Sequence, residues 1–322
     1  YIRGFRRMGS SAVIFPGQGA QAVGMGRDVA SGSARARRTF DRANEILGFD
    51  LAKLCFEGPA DRLEQTDIQQ PAIFVTSVAI WEAFLEAGGS VDTFSRTGGL
   101  SLGEYTALHV AGAVTFEDAL LLVRRRGELM QAAAVAQPSG MVSLVGADEE
   151  TAEALCAKAR AGEVLAPANF NCPGQIVIAG SKIACERAVF LADEFGCRAV
   201  PLAVAGAFHS ALMSSAAEGL WPILERTNFT TPRIPVVANV NAEYHVDAGA
   251  VRASLRRQVT HPVLWQKCIE RMIADGVDRF IEIGPGRVLT GLMRKINRSV
   301  TTINVSAADA ISSALESAVS TT

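Results

Sequence analysis

The sequence predicts an α/β protein: one larger domain interrupted by a smaller ferredoxin-like unit. Three observations carry the prediction. An apolar segment at 11–15 runs directly into the glycine-rich stretch FPGQGAQAVGMG, as a buried strand does when it breaks into a loop. Gly99-Leu100-Ser101-Leu102-Gly103 has the G-x-S-x-G form of a strand-to-helix elbow. From about 136 to 205, strand and helix patterns follow one another as βαββαβ, the ferredoxin-like order. The large domain is therefore expected over 11–135 and 206–304 and the small one over 136–205, with 1–10 a leader and 305–322 a tail.

Taken in order, SAVIF is the first strand. ARARRTFDRANEILG has helical spacing, with Phe40, Ala43, Ile46 and Leu47 on one side. QPAIFVTSVAIWEAFLEAGG reads as a long apolar helix stopped by two glycines. SVDTFSRTGG should be a strand if Ser101 sits on an elbow, yet it is only weakly strand-like. TFEDALLLVRRRGELMQAAA is a helix, with Thr115 a cap three residues before Asp118. In the insert, MVSLVG, VLAPANF, GQIVIAG and CRAVPLAV read as strands, and DEETAEALCAKARAG and KIACERAVFLADEFG as helices. PVVANV at 235–240 and RFIEIGPG at 279–286 are further strands, and AADAISSALESAVSTT a last helix that frays.

The 322 residues are 49% hydrophobic and 20% charged, with a net charge of −2. That balance describes a globular chain with a large core, and neither nucleic acid nor an anionic membrane is an expected partner. No apolar run approaches the ~20 residues that a membrane helix needs. The six cysteines include no C-x-x-C pair, which fits reduced thiols better than a disulfide framework or a zinc site. None of the four histidines is spaced to share a metal with another. The start, YIRGFRRMGS, holds three arginines and no acid; it reads as an unstructured leader or as the remnant of an organelle transit peptide.

Ser101 is either a nucleophile lifted out on a strained turn or a small residue in a glycine-rich bend. Arg126 falls in the middle of the helix face formed by Ala119, Leu122, Val123, Leu129 and Met130. A guanidinium aimed inward must be paired; a protein carboxylate, an escape to solvent, or a bidentate grip on a substrate carboxylate would each serve. His209 follows a strand and lies beyond the serine, where an α/β hydrolase puts its base, while His109, His245 and His261 have no such placement. Gly17, Gly19 and Ala22 match a dinucleotide loop, but Asp41, at about the right distance for the acid, lies in an amphipathic helix. The same loop can equally offer backbone N–H groups to an oxyanion.

Read in order, FPGQGAQAVGMG, GLSLGEYTAL, RRRGELMQ, ANFNCPGQIVIAG, AGAFHSALM, RRQVTHPVLW and IEIGPGRVLTGL resemble the malonyl-CoA:acyl-carrier-protein transacylases over about 11–304. The resemblance implies a hydrolase-like α/β body with a ferredoxin-like insert. It further implies Ser101 as acylated nucleophile, His209 as base, the Gln18 and Leu102 amides as oxyanion hole, and Arg126 as the grip on the malonyl carboxylate. Gln258 would support the histidine through a main-chain carbonyl, and Phe208 would leave little room for an α-methyl branch. Comparable turnover of methylmalonyl-CoA and malonyl-CoA would overturn that last expectation. Implied partners are malonyl-CoA and an acyl carrier protein, met by a monomer with no cofactor and no metal. A basic docking patch drawn from Arg187, Arg256, Arg257, Arg294, Lys295 and Arg298 is expected. Leu100 departs from the histidine usual before the nucleophile; this form is similar to the plastid and some bacterial enzymes, which makes a plastid stroma the expected compartment and bacterial cytoplasm the alternative. Two other classes compete: a serine esterase or thioesterase with water as acceptor, and a nucleotide-binding module resting on the glycine loop.

Overall fold

The structure, a computed structural model, describes residues 10–319. The leader expectation falls on 1–9, outside the described residues, and Ser10 already belongs to the first strand. Strands β1 (Ser10–Phe15), β2 (Phe94–Gly99), β3 (Ser139–Val145), β4 (Leu165–Cys172), β5 (Gln175–Ser181), β6 (Arg198–Pro201), β7 (Val277–Ile283) and β8 (Thr301–Val305) make two sheets.

The first sheet has the order β2-β1-β7-β8 and is parallel throughout. Its strands therefore end at one edge, where the loops after β1, β2 and β7 meet. The second sheet, β4-β5-β3-β6, is antiparallel throughout. With the helices Glu149–Arg160 and Lys182–Leu191 in the connections, it has ferredoxin-like topology. Its first and last strands lie side by side, Val142 opposite Pro201, so the insert leaves and rejoins the large body at one place.

Under the parallel sheet runs the helix Thr66–Glu86. It is long and apolar enough to cross a membrane by length and composition, contrary to the expectation that no such run exists. Protein encloses it almost entirely, and it packs against the helices Ala34–Leu47 and Phe116–Ala136. It is a core helix, apolar all round because every side is covered. The Phe116–Ala136 helix begins at Thr115, whose hydroxyl accepts from Asp118 N at 3.1 Å.

Three local expectations are corrected, and one further strand is added. SVDTFSRTGG does form a strand, because β1 pairs along it. Its glycines answer to packing: a Cβ on Gly98 would lie 2.7 Å from Val237 Cγ1, and one on Gly99 2.0 Å from Gly103 C. PVVANV is not a strand. It makes isolated bridges, Val236 to Thr97 and Val237 to Tyr244, and leaves the ladder at Asn239, whose N–H turns to the Glu104 carboxylate at 3.1 Å. The sequence 301–305 is the edge strand β8. The supposed tail is part of the large body: Ala310–Val319 is helical, and Ile311 and Ala314 are buried in the main core.

Candidate active site

The turn after β2 puts Ser101 at φ 52°, a left-handed conformation that costs a non-glycine residue about 1–3 kcal/mol. The neighbours hold it there. A Cβ on Gly103 would meet Phe15 O at 2.1 Å, so with Gly99 both outer positions of the pentapeptide require glycine. Asn239 accepts from Ser101 N at 2.6 Å and donates to Gly99 O at 2.9 Å. Gln258 Nε2 donates to Ser101 O at 3.0 Å. The backbone of the elbow is thereby fixed on both sides of the serine.

His209 Nε2 lies 2.8 Å from Ser101 Oγ, and Nδ1 lies 2.7 Å from Gln258 O. A carbonyl only accepts, so the ring proton sits on Nδ1 and Nε2 presents a lone pair to the serine hydroxyl. Burial, and secondly the Arg126 charge, push the imidazole down to about 3; the ring is neutral near pH 7.

Arg126 is 1% exposed. Its Nη2 donates to Ser101 Oγ and to Gln258 Oε1, both at 3.0 Å, and its Nη1 to Gln70 Oε1 at 2.7 Å. The Tyr105 ring lies 5.3 Å from the guanidinium carbon, and burial pushes that phenol up to about 12. Among the described residues no carboxylate lies within ion-pairing distance of Arg126. The protein-carboxylate alternative is therefore ruled out, and so is escape to solvent. Both Nε and one hydrogen of Nη1 are left over.

The loop after β1 presses against the elbow: a Cβ on Gly17 would fall 2.2 Å from Leu100 O. This brings Gln18 beside Ser101. Among the described residues the backbone N–H groups of Gln18 and Leu102 have no protein acceptor, whereas the Ser101 N–H is taken by Asn239. Leu102 immediately precedes the helix Gly103–Val110, whose dipole adds to its amide. Ser101 and His209 open into a cleft of about 190 Å³, walled by Met141, Asn169, Asn171, Gln175 and Val177 of the insert and by Phe208, Val288 and Leu292 of the large body.

The structure thus brings together Ser101, His209, Arg126, Gln18, Leu102, Gln258 and Phe208. His109 and His261 lie apart from this group, whereas His245 stands behind the elbow with Nε2 2.9 Å from Glu104 Oε1. His109 Nδ1 lies 3.1 Å from Val114 O between Phe74 and Phe116, and His261 is exposed beside Thr260. Asp41 lines a separate surface cleft with Arg35 and Arg38, which removes the acid that a dinucleotide site would need. Of the basic candidates, Arg187 is committed to the carbonyls of Ala159 and Arg160, and Arg256 lies 4.6 Å from the Trp221 ring. Arg257, Arg294, Lys295 and Arg298 are exposed. Sequence reasoning misses Glu104, Asn239 and Gln70 and gives His245 no role. Glu104 and Asn239 carry the signal that marked Arg126, a polar residue inside an apolar stretch.

Comparisons with known proteins give the family. A family profile described as "Acyl transferase domain" matches residues 13–314. The malonyl CoA-acyl carrier protein transacylase of Bacillus subtilis is 43% identical over 311 residues, 96% of this chain and 97% of its own length. The enzyme of that name from Escherichia coli is 41% identical over 306 residues, covering 95% and 98%. The crystal structure of an acyl carrier protein S-malonyltransferase from Vibrio cholerae superposes with a TM-score of 0.91 at 43% identity, over 95% of this chain and 99% of that one. A malonyl-transacylase in complex with a type II polyketide acyl-carrier protein superposes with a TM-score of 0.93 at 41% identity, over 96% and 99%. With likeness of this degree along nearly its whole length, the chain belongs to the acyl transferase family and, within it, to the malonyl CoA-acyl carrier protein transacylases.

Proposed function

We propose that this chain transfers malonyl from malonyl-CoA to the phosphopantetheine thiol of an acyl carrier protein, feeding fatty-acid elongation, by way of a malonyl ester on Ser101. The carrying observation is Arg126: a buried guanidinium 3.0 Å from the nucleophile with no carboxylate of the protein against it.

In the first half-reaction His209 Nε2 takes the Ser101 proton as Oγ bonds to the thioester carbon. The oxyanion is received by the Gln18 and Leu102 N–H groups, each worth roughly 3 kcal/mol in sites of this kind. Collapse breaks the C–S bond, and the imidazolium proton goes to the CoA thiolate. The Nη2 hydrogen that pointed at Ser101 Oγ is released on acylation; with the free Nη1 hydrogen it forms a fork for the malonyl carboxylate. In the second half the carrier thiol gives its proton to His209 and attacks the ester, and serine is regenerated.

Nucleophile, base, amides and arginine all come from one chain, so a monomer working without a cofactor suffices. Six buried, unpaired thiols suit a reducing compartment; the bacterial relatives favour cytoplasm over a plastid stroma.

Intact-protein mass after brief exposure to malonyl-CoA tests the proposal. The wild type gains one malonyl group, Ser101→Ala gains none, and Arg126→Ala loses its preference over acetyl-CoA by about 100-fold, the worth of a lost charge-assisted pair. CoA release without any adduct would make water the acceptor and the protein a thioesterase.

A further inference from the structure

The side chains behind the nucleophile form a second layer to which the reaction scheme assigns nothing. Glu104, three residues after Ser101, is wholly buried. Its Oε2 accepts from Gln258 Nε2 at 2.7 Å and from Asn239 N at 3.1 Å. Its Oε1 lies 2.9 Å from His245 Nε2, and both side chains of that pair are 1% exposed.

We propose that Glu104 is a positioning residue for malonyl selectivity, acting on Arg126 through the carboxamide of Gln258. This rests on the malonyl-transfer reading above. Gln258 Nε2 faces two acceptors, Glu104 Oε2 and Ser101 O, and its Oε1 faces one donor, Arg126 Nη2. Turned over, the amide would set its N–H groups against the guanidinium and its oxygen against two oxygens. The carboxylate therefore fixes which end of Gln258 meets the arginine.

The arrangement also solves a charge problem. A buried guanidinium needs an opposite charge nearby, yet a carboxylate in direct contact would occupy the donors that the substrate needs. Here the countercharge stands one amide away. Burial pulls the Arg126 pKa down, and Tyr105 and then Glu104 work against that pull, while the partners that the guanidinium contacts, Gln70, Ser101 and Gln258, are all uncharged. Selectivity then depends on Glu104 even though Glu104 touches no substrate.

The test compares initial acylation rates with malonyl-CoA and acetyl-CoA in the wild type, Glu104→Gln, Arg126→Ala and the double variant. A glutamine at 104 can hold Gln258 in either orientation, so the malonyl-to-acetyl ratio should fall about ten-fold or more. It should fall no further in the double variant than in Arg126→Ala, because both substitutions act through one guanidinium. Should the glutamine variant not fold, Glu104→Asp carries the same expectation, since it withdraws the carboxylate by one methylene. A ratio within two-fold of the wild type in a folded variant, or an equal loss on both substrates, would reduce Glu104 to scaffold and overturn the inference. A wild type that takes up no malonyl at all would instead defeat the malonyl reading itself.

Discussion

At the scale of single residues, the site depends on a neutral histidine beside a permanent positive charge. His209 is driven down to about 3, first by burial and then by Arg126, from the ~6.5 of an ordinary imidazole. Only the unprotonated ring can take the Ser101 proton, so a lowered pKa keeps the enzyme active further into acid. The acid limb of the acylation rate should therefore lie well below pH ~6.5. Arg126→Ala removes the second cause; the ring then holds its proton at higher pH, and the limb moves up. Single-turnover CoA release from acetyl-CoA measures both limbs without a substrate carboxylate titrating in the same range, and coincident limbs in the two proteins would contradict the account. Arg126 was legible in the sequence because one arginine stood where helical spacing demanded an apolar residue. Glu104 stands equally out of place in GLSLGEYTAL, but its partners Gln258, Asn239 and His245 are more than 130 residues away, and no local pattern joins them.

At the scale of elements, the elbow works because three backbones approach too closely for any side chain. Gly99 lies against Gly103, Gly103 against Phe15 O, and Gly17 against Leu100 O. Gly17→Ala would place a methyl group 2.2 Å from that carbonyl and push the loop that carries the Gln18 amide away from the serine. The loss of one oxyanion donor lowers kcat by about 100-fold or more. Gly140→Ala, on β3 with nothing within 4 Å of the new carbon, should leave the rate of malonyl transfer unchanged. Equal rates in the two variants would mean that the loop yields without cost. This crowding also explains where sequence reading failed. Glycines at 98 and 99 argue against a strand by propensity, yet a Cβ on Gly98 would strike Val237 and one on Gly99 the backbone of Gly103. PVVANV has the pattern of a strand and is not one, because its Asn239 N–H serves the elbow instead of a ladder.

At the scale of the molecule, the insert is fastened to the body that it interrupts, although its βαββαβ order reads as an independent unit. Met141, Ala168, Val177 and Ala179 belong to the main core cluster, together with residues of the Phe116–Ala136 helix. Phe170 N donates to Val263 O and Val263 N to Ala168 O, each at 2.9 Å, so β4 continues into the large body by main-chain bonds. The insert retains a core of its own around Leu144, Leu155 and Ile178, but uncoupling it would expose the shared apolar surface and open the cleft wall that faces Ser101. The two bodies should therefore unfold in one cooperative step. The chain carries its own probes for this: Trp81, Trp221 and Trp265 are its three tryptophans, and all lie outside the insert. Tryptophan fluorescence thus follows the large body alone, whereas far-ultraviolet circular dichroism follows both. In urea the two signals should give the same midpoint and the same slope. A dichroism transition lagging or leading the fluorescence would show the insert melting as a separate unit, and the cleft would then be a moving part and not a preformed wall.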